Sequence, residues 1–181
     1  PIKIDGSQIH RHNIRLTDFE VDLNGEKKGI ELVQCKSPVV ERINFYNGAD
    51  GAAAVSEAYA LGMYEAGMAR VSNLNVIGSS AWTQSAGIYL KGLGTADLSV
   101  TGCDIGGYGF GIYYDDGPGD LMINGNVIYN QGVDCVRVVT TSRDSSQNRF
   151  INNHFGEPTG DMLSLSVGAP TYASVNNIVS N

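Results

Sequence analysis

The sequence predicts an all-β solenoid, in which short parallel strands coil into stacked turns. Three observations support this prediction: a short apolar phrase recurs at nearly constant spacing, Gly and Asn recur at one turn position, and no repeat has enough apolar surface to fold alone. The chain has 181 residues, of which 23 are glycine and 42% are hydrophobic. That apolar content excludes a disordered or collagen-like chain despite the glycine.

The first recurring phrase is a small residue followed by an apolar, a variable and a second apolar residue. It occurs as Gly29-Ile30-Glu31-Leu32, Gly87-Ile88-Tyr89-Leu90, Gly111-Ile112-Tyr113-Tyr114, Cys135-Val136-Arg137-Val138 and Met162-Leu163-Ser164-Leu165. The steps from Ile88 onward are 24, 24 and 27 residues, and the gap of 58 before Ile88 fits two turns plus an insertion. The alanine-rich residues 48–60 favour helix, so they are predicted to form a short helical insertion; the alternative is a distorted rung.

The second phrase places a turn-forming residue between two apolar residues. The turn position holds Asp18, Arg42, Asn73, Gly102, Gly125, Asn153 and Asn177. Because Gly, Asn and Asp tolerate positive φ best, this column predicts a left-handed corner in each turn. Arg42 is the exception to the pattern.

Two columns of residues are expected to face the interior of a solenoid of about seven rungs. The first column contains Ile30, Leu32, Ile88, Leu90, Ile112, Tyr114, Val136, Val138, Leu163 and Leu165. The second contains Phe19, Ile43, Leu74, Cys103, Asn126, His154 and Ile178. Burying each large apolar side chain contributes about 1.5–3 kcal/mol.

Other repeat architectures do not fit. A leucine-rich repeat would need the L-x-x-L-x-L-x-x-N phrase and a helical half-repeat, and a propeller blade would need a Trp-Asp signature. We expect one domain over residues 1–181. Both ends of a solenoid need caps and none is obvious, which suggests a fragment of a longer protein or a homotrimer whose partner covers the end.

Charge and cysteine content narrow the class of protein. The net charge of −7 argues against a nucleic-acid partner, and no apolar run approaches the roughly 20 residues needed to span a membrane. Cys35, Cys103 and Cys135 are odd in number and widely spaced, so buried, reduced thiols are expected. His10 and His12 lack a third ligand, so no metal site is predicted there.

The stretch 19–25 followed by 29–32, together with the Asn152-Asn153 and Asn176-Asn177 turns, resembles right-handed parallel β-helix proteins of the pectate-lyase and phage-tailspike superfamily. The resemblance covers about residues 9–181. It implies a carbohydrate-active domain that is located in a virion or outside the cell. A reduced set of cysteines fits assembly in a cytosol and release in a virion.

The residues between the two inward positions form an outer column that is a candidate sugar-binding surface. The column contains Glu31, Tyr89, Tyr113, Arg137 and Ser164, and Tyr64 joins it if the register holds; Lys91 and Trp82 are further candidates. Tyrosines beside an arginine offer rings for stacking and a hydrogen-bonding edge. The alternative is that these rings stiffen the sheet or pack against another subunit.

Paired carboxylates are the candidate catalytic groups. Asp134 and Asp161 both lie two residues before an inward position, so they occupy the same column in adjacent turns. Such a pair suits glycoside hydrolysis, because mutual repulsion separates an acid from a base. The alternative is two turn aspartates that face solvent.

Asp115 is the third catalytic candidate. It precedes Asp116. Lys91 is expected one turn below Asp115, and Arg137 is expected one turn above Tyr113. Polysaccharide lyases of similar β-helices use acidic residues to hold calcium and a Lys or Arg as base, so the resemblance implies those roles here. The alternative is a simple turn, and no cofactor other than calcium is indicated.

The resulting hypothesis is a tailspike-like domain that binds a surface polysaccharide and depolymerises it by hydrolysis. A second hypothesis is a non-enzymatic shaft or receptor-binding module of a virion fibre or adhesin, in which the tyrosine column is a subunit interface. A polysaccharide lyase is the third.

Overall fold

The computed structural model describes residues 2–6, 13–48, 54–78, 84–92, 97–116, 119–140, 148–167 and 178–180. Nearly all regular structure in these residues is β-strand. In chain order the strands are β1 (Ile2–Asp5), β2 (Arg15–Asp22), β3 (Lys28–Val33), β4 (Val39–Gly48), β5 (Tyr59–Tyr64), β6 (Arg70–Ser72), β7 (Asn75–Gly78), β8 (Ala86–Lys91), β9 (Leu98–Thr101), β10 (Asp104–Gly106), β11 (Phe110–Asp115), β12 (Leu121–Asn124), β13 (Val127–Tyr129), β14 (Asp134–Thr140), β15 (Arg149–Ile151), β16 (His154–Gly156), β17 (Leu163–Val167) and β18 (Ile178–Ser180).

The strands stack in parallel as the predicted solenoid. The first sheet has the order β1-β3-β5-β8-β11-β14-β17, and the second sheet divides at β4 into the branches β6-β9-β12-β15-β18 and β7-β10-β13-β16. Each turn therefore contributes one strand to the first sheet and two strands to the branches. About five turns are complete, from β3 to β16, so the prediction of about seven rungs is too high because it counts the partial end turns.

The gap between Ile30 and Ile88 is filled as predicted by an additional turn. Leu61 of β5 lies beside Ile30 on one side and Ile88 on the other. In the part of the predicted insertion that the structure describes, the helical structure is one 3-10 turn, Val55–Glu57, and β5 begins at Tyr59. This turn lies just before β5, and its Val55 packs against the cluster that contains Tyr59 and Tyr89 on the outer side of the first sheet.

The left-handed corner is observed where the turn column predicts it. The backbone φ is positive at Asp18, Arg42, Asn73, Gly102 and Gly125. Arg42, the apparent exception, has a φ of 53° and its guanidinium binds both carboxylate oxygens of Asp18 in the preceding turn, at 2.6 and 2.9 Å. Asp18 and Arg42 thus form a bidentate ion pair across two successive corners.

The alignment of the later turns is wrong by one residue. Asn152, rather than Asn153, has positive φ, and Asn153 points inward while His154 is exposed. Asn153 accepts hydrogen bonds from the backbone N–H of Asn126 and from its Nδ2, at 3.1 and 3.0 Å. The two amides form a short buried ladder inside the solenoid. Asn177 lies outside the described residues.

The core follows the two predicted inward columns for most of their length. In the first column, every residue from Ile30 to Val138 is at most 1% exposed, whereas Leu163 is half-buried and Leu165 is 39% exposed. The prediction for Leu165 is wrong because β17 lies at the end of the described first sheet and has a strand neighbour on one side only. In the second column Phe19 is half-buried for the same reason at the opposite end.

Candidate functional site

Three tyrosine rings form a continuous stack on the outer side of the first sheet. The rings of Tyr59 and Tyr89 lie 5.8 Å apart at an interplanar angle of 9°, and those of Tyr89 and Tyr113 lie 5.9 Å apart at 25°. We call Tyr59, Tyr89 and Tyr113 the tyrosine stack. Parallel strands place equivalent side chains about 4.8 Å apart, so rings in successive turns meet face to face.

The tyrosine stack is buried at one end and open to solvent at the other. Tyr59 and Tyr89 are 0% and 1% exposed, whereas Tyr113 is half-buried. Val55 of the 3-10 turn packs against this cluster, and the half-buried Tyr64 donates a 3.3 Å hydrogen bond to the backbone oxygen of Ser56. The expected open platform is therefore confined to Tyr113 and Tyr64, and Tyr89 offers no free face to a sugar ring.

Tyr64 does not lie in the column of Tyr89 and Tyr113, so the register proposed for it is wrong. Gly62 occupies that position in β5, and Tyr64 lies beside Lys91. The ring of Tyr59 crosses over Gly62, where an added Cβ would lie 2.3 Å from the ring. Tyr59 could not be predicted from the repeat, because it lies at the edge of the insertion and outside the repeated phrase. The sequence signal of its position is the glycine at residue 62, which leaves room for its ring.

The tyrosine stack ends at Tyr113. Arg137 follows Tyr113 in register, as predicted, but its guanidinium turns aside to lie 5.0 Å from the centre of the Phe110 ring and to bind Asp134 at 2.6 Å. The next residue of the column is the short Ser164. Among the described residues, no ring from these turns continues the stack, but the ring of Phe110 in the same strand meets Tyr113 edge to face, with centres 4.9 Å apart at an interplanar angle of 73°.

Asp115, Lys91 and Tyr89 form a hydrogen-bonded cluster beside Tyr113. The phenol of Tyr89 and the ammonium of Lys91 each donate to Oδ2 of Asp115, at 2.8 Å. The predicted placement of Lys91 one turn below Asp115 is correct. The Asp115 side chain is 25% exposed and that of Lys91 is 45% exposed, so solvent reaches the ion pair.

Asp134 is buried and both of its carboxylate oxygens are engaged. Oδ2 accepts the hydrogen bond from Nε of Arg137, and Oδ1 accepts a 2.8 Å hydrogen bond from the backbone N–H of Asp161. The two aspartates lie in adjacent turns, as expected, with the Asp161 side chain exposed. Asp134 thus connects the beginning of β14 to the next turn of the solenoid through a hydrogen bond.

The structure does not bring Asp115 to the other two catalytic candidates. Phe110 is the register partner of Asp134, and Asp115 lies five residues further along β11. At about 3.3 Å per residue, the two aspartates are separated by roughly 16 Å along the sheet. This separation exceeds the range that glycoside hydrolysis requires of two carboxylates, so Asp115 cannot act as a partner of Asp134.

Glu31 is the centre of a second cluster of polar groups, at the Tyr59 end of the tyrosine stack. Glu31 accepts a short hydrogen bond from the phenol of Tyr59 and forms ion pairs with Lys3 at 3.3 Å and Lys28 at 3.6 Å. Burial tends to raise the pKa of Glu31, but the hydrogen bonds from Tyr59 and Lys3 outweigh it, so the pKa is lowered. Glu31 is therefore ionised at neutral pH.

The phenols of the tyrosine stack are held in their neutral form. Burial raises the pKa of Tyr59 and Tyr89, and the hydrogen bonds that they donate to Glu31 and Asp115 raise it further. Burial also raises the pKa of Tyr113. The phenols of Tyr59 and Tyr89 therefore act as hydrogen-bond donors that orient the carboxylates of Glu31 and Asp115.

Two aspartates that were not among the predicted site residues, Asp97 and Asp120, line an open depression of about 270 Å³. Asp97 and Asp120 precede Leu98 and Leu121, which pair in register, and Arg149 lines the same depression. Both aspartates have positive φ. Their place between strands, outside either recurring phrase, is why the column analysis missed them.

The remaining predicted residues divide between those that are described and those that are not. Cys35, Cys103 and Cys135 are buried thiols without disulfide bonds, as expected, and burial raises the pKa of Cys103 and Cys135 to about 11. Trp82, His10 and His12 lie outside the described residues. Within the described ranges, no three His, Cys, Asp or Glu side chains are grouped so that they could hold a metal ion.

None of the helices in the described part of the chain has the length and apolar character needed to cross a membrane.

No curated protein and no solved structure matches the chain. A family model described as a right handed beta helix region matches residues 2–155, which is well over half of the sequence. This match agrees with the parallel stacking of the strands and with the β-helix part of the resemblance. The chain therefore belongs to the right-handed β-helix family.

Proposed function

We propose that this β-helix domain binds a polysaccharide along the outer face of its first sheet. The observation that carries the proposal is the position of Tyr113, which is the solvent-facing end of the tyrosine stack and lies two residues from the Lys91–Asp115 ion pair. An aromatic face and adjacent charged groups are the two elements that a sugar ring requires, since its C–H face is apolar and its edge is polar.

The arrangement of these groups favours an extended ligand. Tyr113, Arg137 and Ser164 follow one another along the axis of the solenoid, and Lys91 and Asp115 form a neighbouring row. Groups repeated about every 4.8 Å on a flat sheet form a long shallow surface. A chain of sugars fits such a surface better than a single small molecule does.

Depolymerisation of the bound glycan is the finer form of this proposal, with Asp134 and Asp161 as the acid–base pair. Their adjacency in successive turns supports it. The engagement of both Asp134 oxygens argues against it, because a general acid or base must reach the scissile bond. Binding is therefore the function that the geometry supports best, and tailspike-like cleavage is tested separately.

A non-enzymatic shaft of a virion or extracellular fibre is the second candidate. It is favoured by the burial of Tyr59 and Tyr89, which makes two of the three residues of the tyrosine stack structural. In a homotrimeric shaft, Tyr113 and Tyr64 would pack against a neighbouring subunit. Analytical ultracentrifugation distinguishes the two candidates, because a monomer with an accessible Tyr113 excludes the shaft interface.

A glycan panel tests the proposal. Wild-type protein, Tyr113→Ala and the control Tyr46→Ala are screened for binding and for new reducing ends; Tyr46 is 37% exposed and lies on the second sheet. We expect binding that is lost in Tyr113→Ala and retained in the control. No binding by the wild type, or equal binding by both variants, contradicts the proposal. New reducing ends that disappear in Asp161→Asn support cleavage.

A further inference from the structure

We propose that the Lys91–Asp115 ion pair is a subsite for an uncharged sugar that presents two adjacent hydroxyl groups. This inference rests on the proposed glycan-binding function and specifies the class of ligand. It follows from the way the pair is held, from its exposure and from its charge balance.

The Lys91–Asp115 ion pair is held in place by the buried phenol of Tyr89. Oδ2 of Asp115 accepts hydrogen bonds from the Tyr89 phenol and from Lys91, both at 2.8 Å. Tyr89 is 1% exposed and is fixed between the rings of Tyr59 and Tyr113. A carboxylate whose orientation is set by a buried donor loses little conformational entropy when a ligand binds.

The solvent-exposed atoms of the pair match a diol. Among the described residues, Oδ1 of Asp115 accepts no hydrogen bond, and the side chain is partly exposed. A carboxylate oxygen accepts a hydrogen bond from a hydroxyl group, whereas an ammonium donates one. Two neighbouring hydroxyls can therefore bridge the pair, one donating to Asp115 and the other accepting from Lys91, while the sugar ring lies against Tyr113.

The charge balance of this surface favours an uncharged ligand. The positive charge of Lys91 is balanced by Asp115, and that of Arg137 by Asp134. The whole chain carries a net charge of −7. Among the described residues beside the pair, a sugar carboxylate would meet the carboxylate of Asp115 without an unbalanced cation, so an acidic glycan is disfavoured.

Calorimetric titration with matched uncharged and uronic-acid oligosaccharides, at low and high salt, tests the inference. The variants are Asp115→Asn and Lys91→Gln, with Asp104→Asn as the control, since Asp104 is exposed on the second sheet. We expect Asp115→Asn and Lys91→Gln each to weaken binding of the uncharged glycan by about 10-fold or more, since charge-assisted hydrogen bonds are lost. The control binds as the wild type does, and salt has little effect. Thermal unfolding of each variant confirms that it is folded.

Two results would overturn the inference. Uncharged-glycan binding that survives in Asp115→Asn but is lost in Tyr113→Ala would leave glycan binding in place and remove the diol subsite. Binding restricted to the uronic-acid glycan, weakened by salt and by Lys91→Gln, would show that an anionic sugar is the ligand. Failure of the wild type to bind either oligosaccharide contradicts both the inference and the proposed function.

Discussion

The phenol of Tyr89, buried in the tyrosine stack, donates a 2.8 Å hydrogen bond to the partly exposed carboxylate of Asp115 in the next turn. This contact joins the part of the outer face that stabilises the solenoid to the part that faces solvent. The stack therefore has a structural role at Tyr59 and Tyr89 and a proposed binding role at Tyr113.

Asn126→Ala is expected to destabilise the fold strongly. Oδ1 of Asn126 accepts a 2.9 Å hydrogen bond from the backbone N–H of Cys103. Its Nδ2 donates hydrogen bonds to the backbone oxygen of Val100 and to Oδ1 of Asn153, both at 3.0 Å. Each buried group left without a partner costs about 1–3 kcal/mol, so we expect a loss of roughly 2–5 kcal/mol in urea unfolding. The control Asn75→Ala, at an exposed strand position, should change stability by less than about 0.5 kcal/mol. Equal stability of the two variants would show that the amide ladder does not stabilise the solenoid.

Gly62→Ala is expected to disrupt the tyrosine stack. An added Cβ would lie 2.3 Å from Cε2 of Tyr59, so the ring must move away from its contact with Tyr89. Overpacking of this kind costs about 1–3 kcal/mol and should weaken the near-ultraviolet circular dichroism of the tyrosines. Ser164→Ala, in the same column at the other end of the sheet, is the control. An unchanged tyrosine signal in Gly62→Ala would contradict the placement of Tyr59.

The Asp18–Arg42 pair should contribute stability that is lost at low pH. The hydrogen bond from Arg42 lowers the pKa of Asp18 from 3.8 to about 2, so the folded state favours the ionised form. The contribution is present above pH 3.8 and disappears as the pH falls through about 2. Asp18→Asn should therefore be less stable than the wild type at pH 6, and this difference should shrink towards pH 2. A difference that is constant with pH would contradict the ion pair.

Alkaline unfolding should coincide with ionisation of the buried tyrosines. Burial raises the pKa of Tyr59, Tyr89 and Tyr108 above the ordinary 10.0. Because the pKa of these phenols is higher in the folded than in the unfolded chain, their neutral form contributes stability that is fully present below pH 10.0. That stability is lost as the pH rises towards the raised pKa. Tyrosinate absorbance should therefore include a late step that coincides with loss of the β-sheet signal and becomes smaller in Tyr89→Phe. Ionisation of all nine tyrosines before unfolding would contradict this.

The fold could be predicted from the sequence because it repeats a constraint in every turn. The left-handed corner selected Asp, Asn or Gly so consistently that its position was correct even at Arg42, where an ion pair to Asp18 replaces the usual residue type. The error at Asn152 and Asn153 has a simple cause. Two adjacent asparagines satisfy both the corner and the buried amide position, so the pattern alone does not distinguish them.

The candidate site could be predicted only in part. The placement of Lys91 beside Asp115 and of Arg137 after Tyr113 followed from the period of the repeat. The burial of Tyr89 did not, because it depends on Val55 in the insertion and on the ring of Tyr59, which reaches over Gly62. Contacts between the repeat and an irregular segment have no period from which to predict them.

The most direct test of the central claim is a crystal structure of the protein with the tightest-binding oligosaccharide from the panel. The account predicts a sugar ring against the open side of Tyr113, with hydroxyl groups on Asp115 and Lys91. A sugar bound elsewhere, such as in the depression lined by Asp97, Asp120 and Arg149, would contradict it. A second subunit packed over Tyr113 in place of the sugar would also contradict it and would favour the structural shaft.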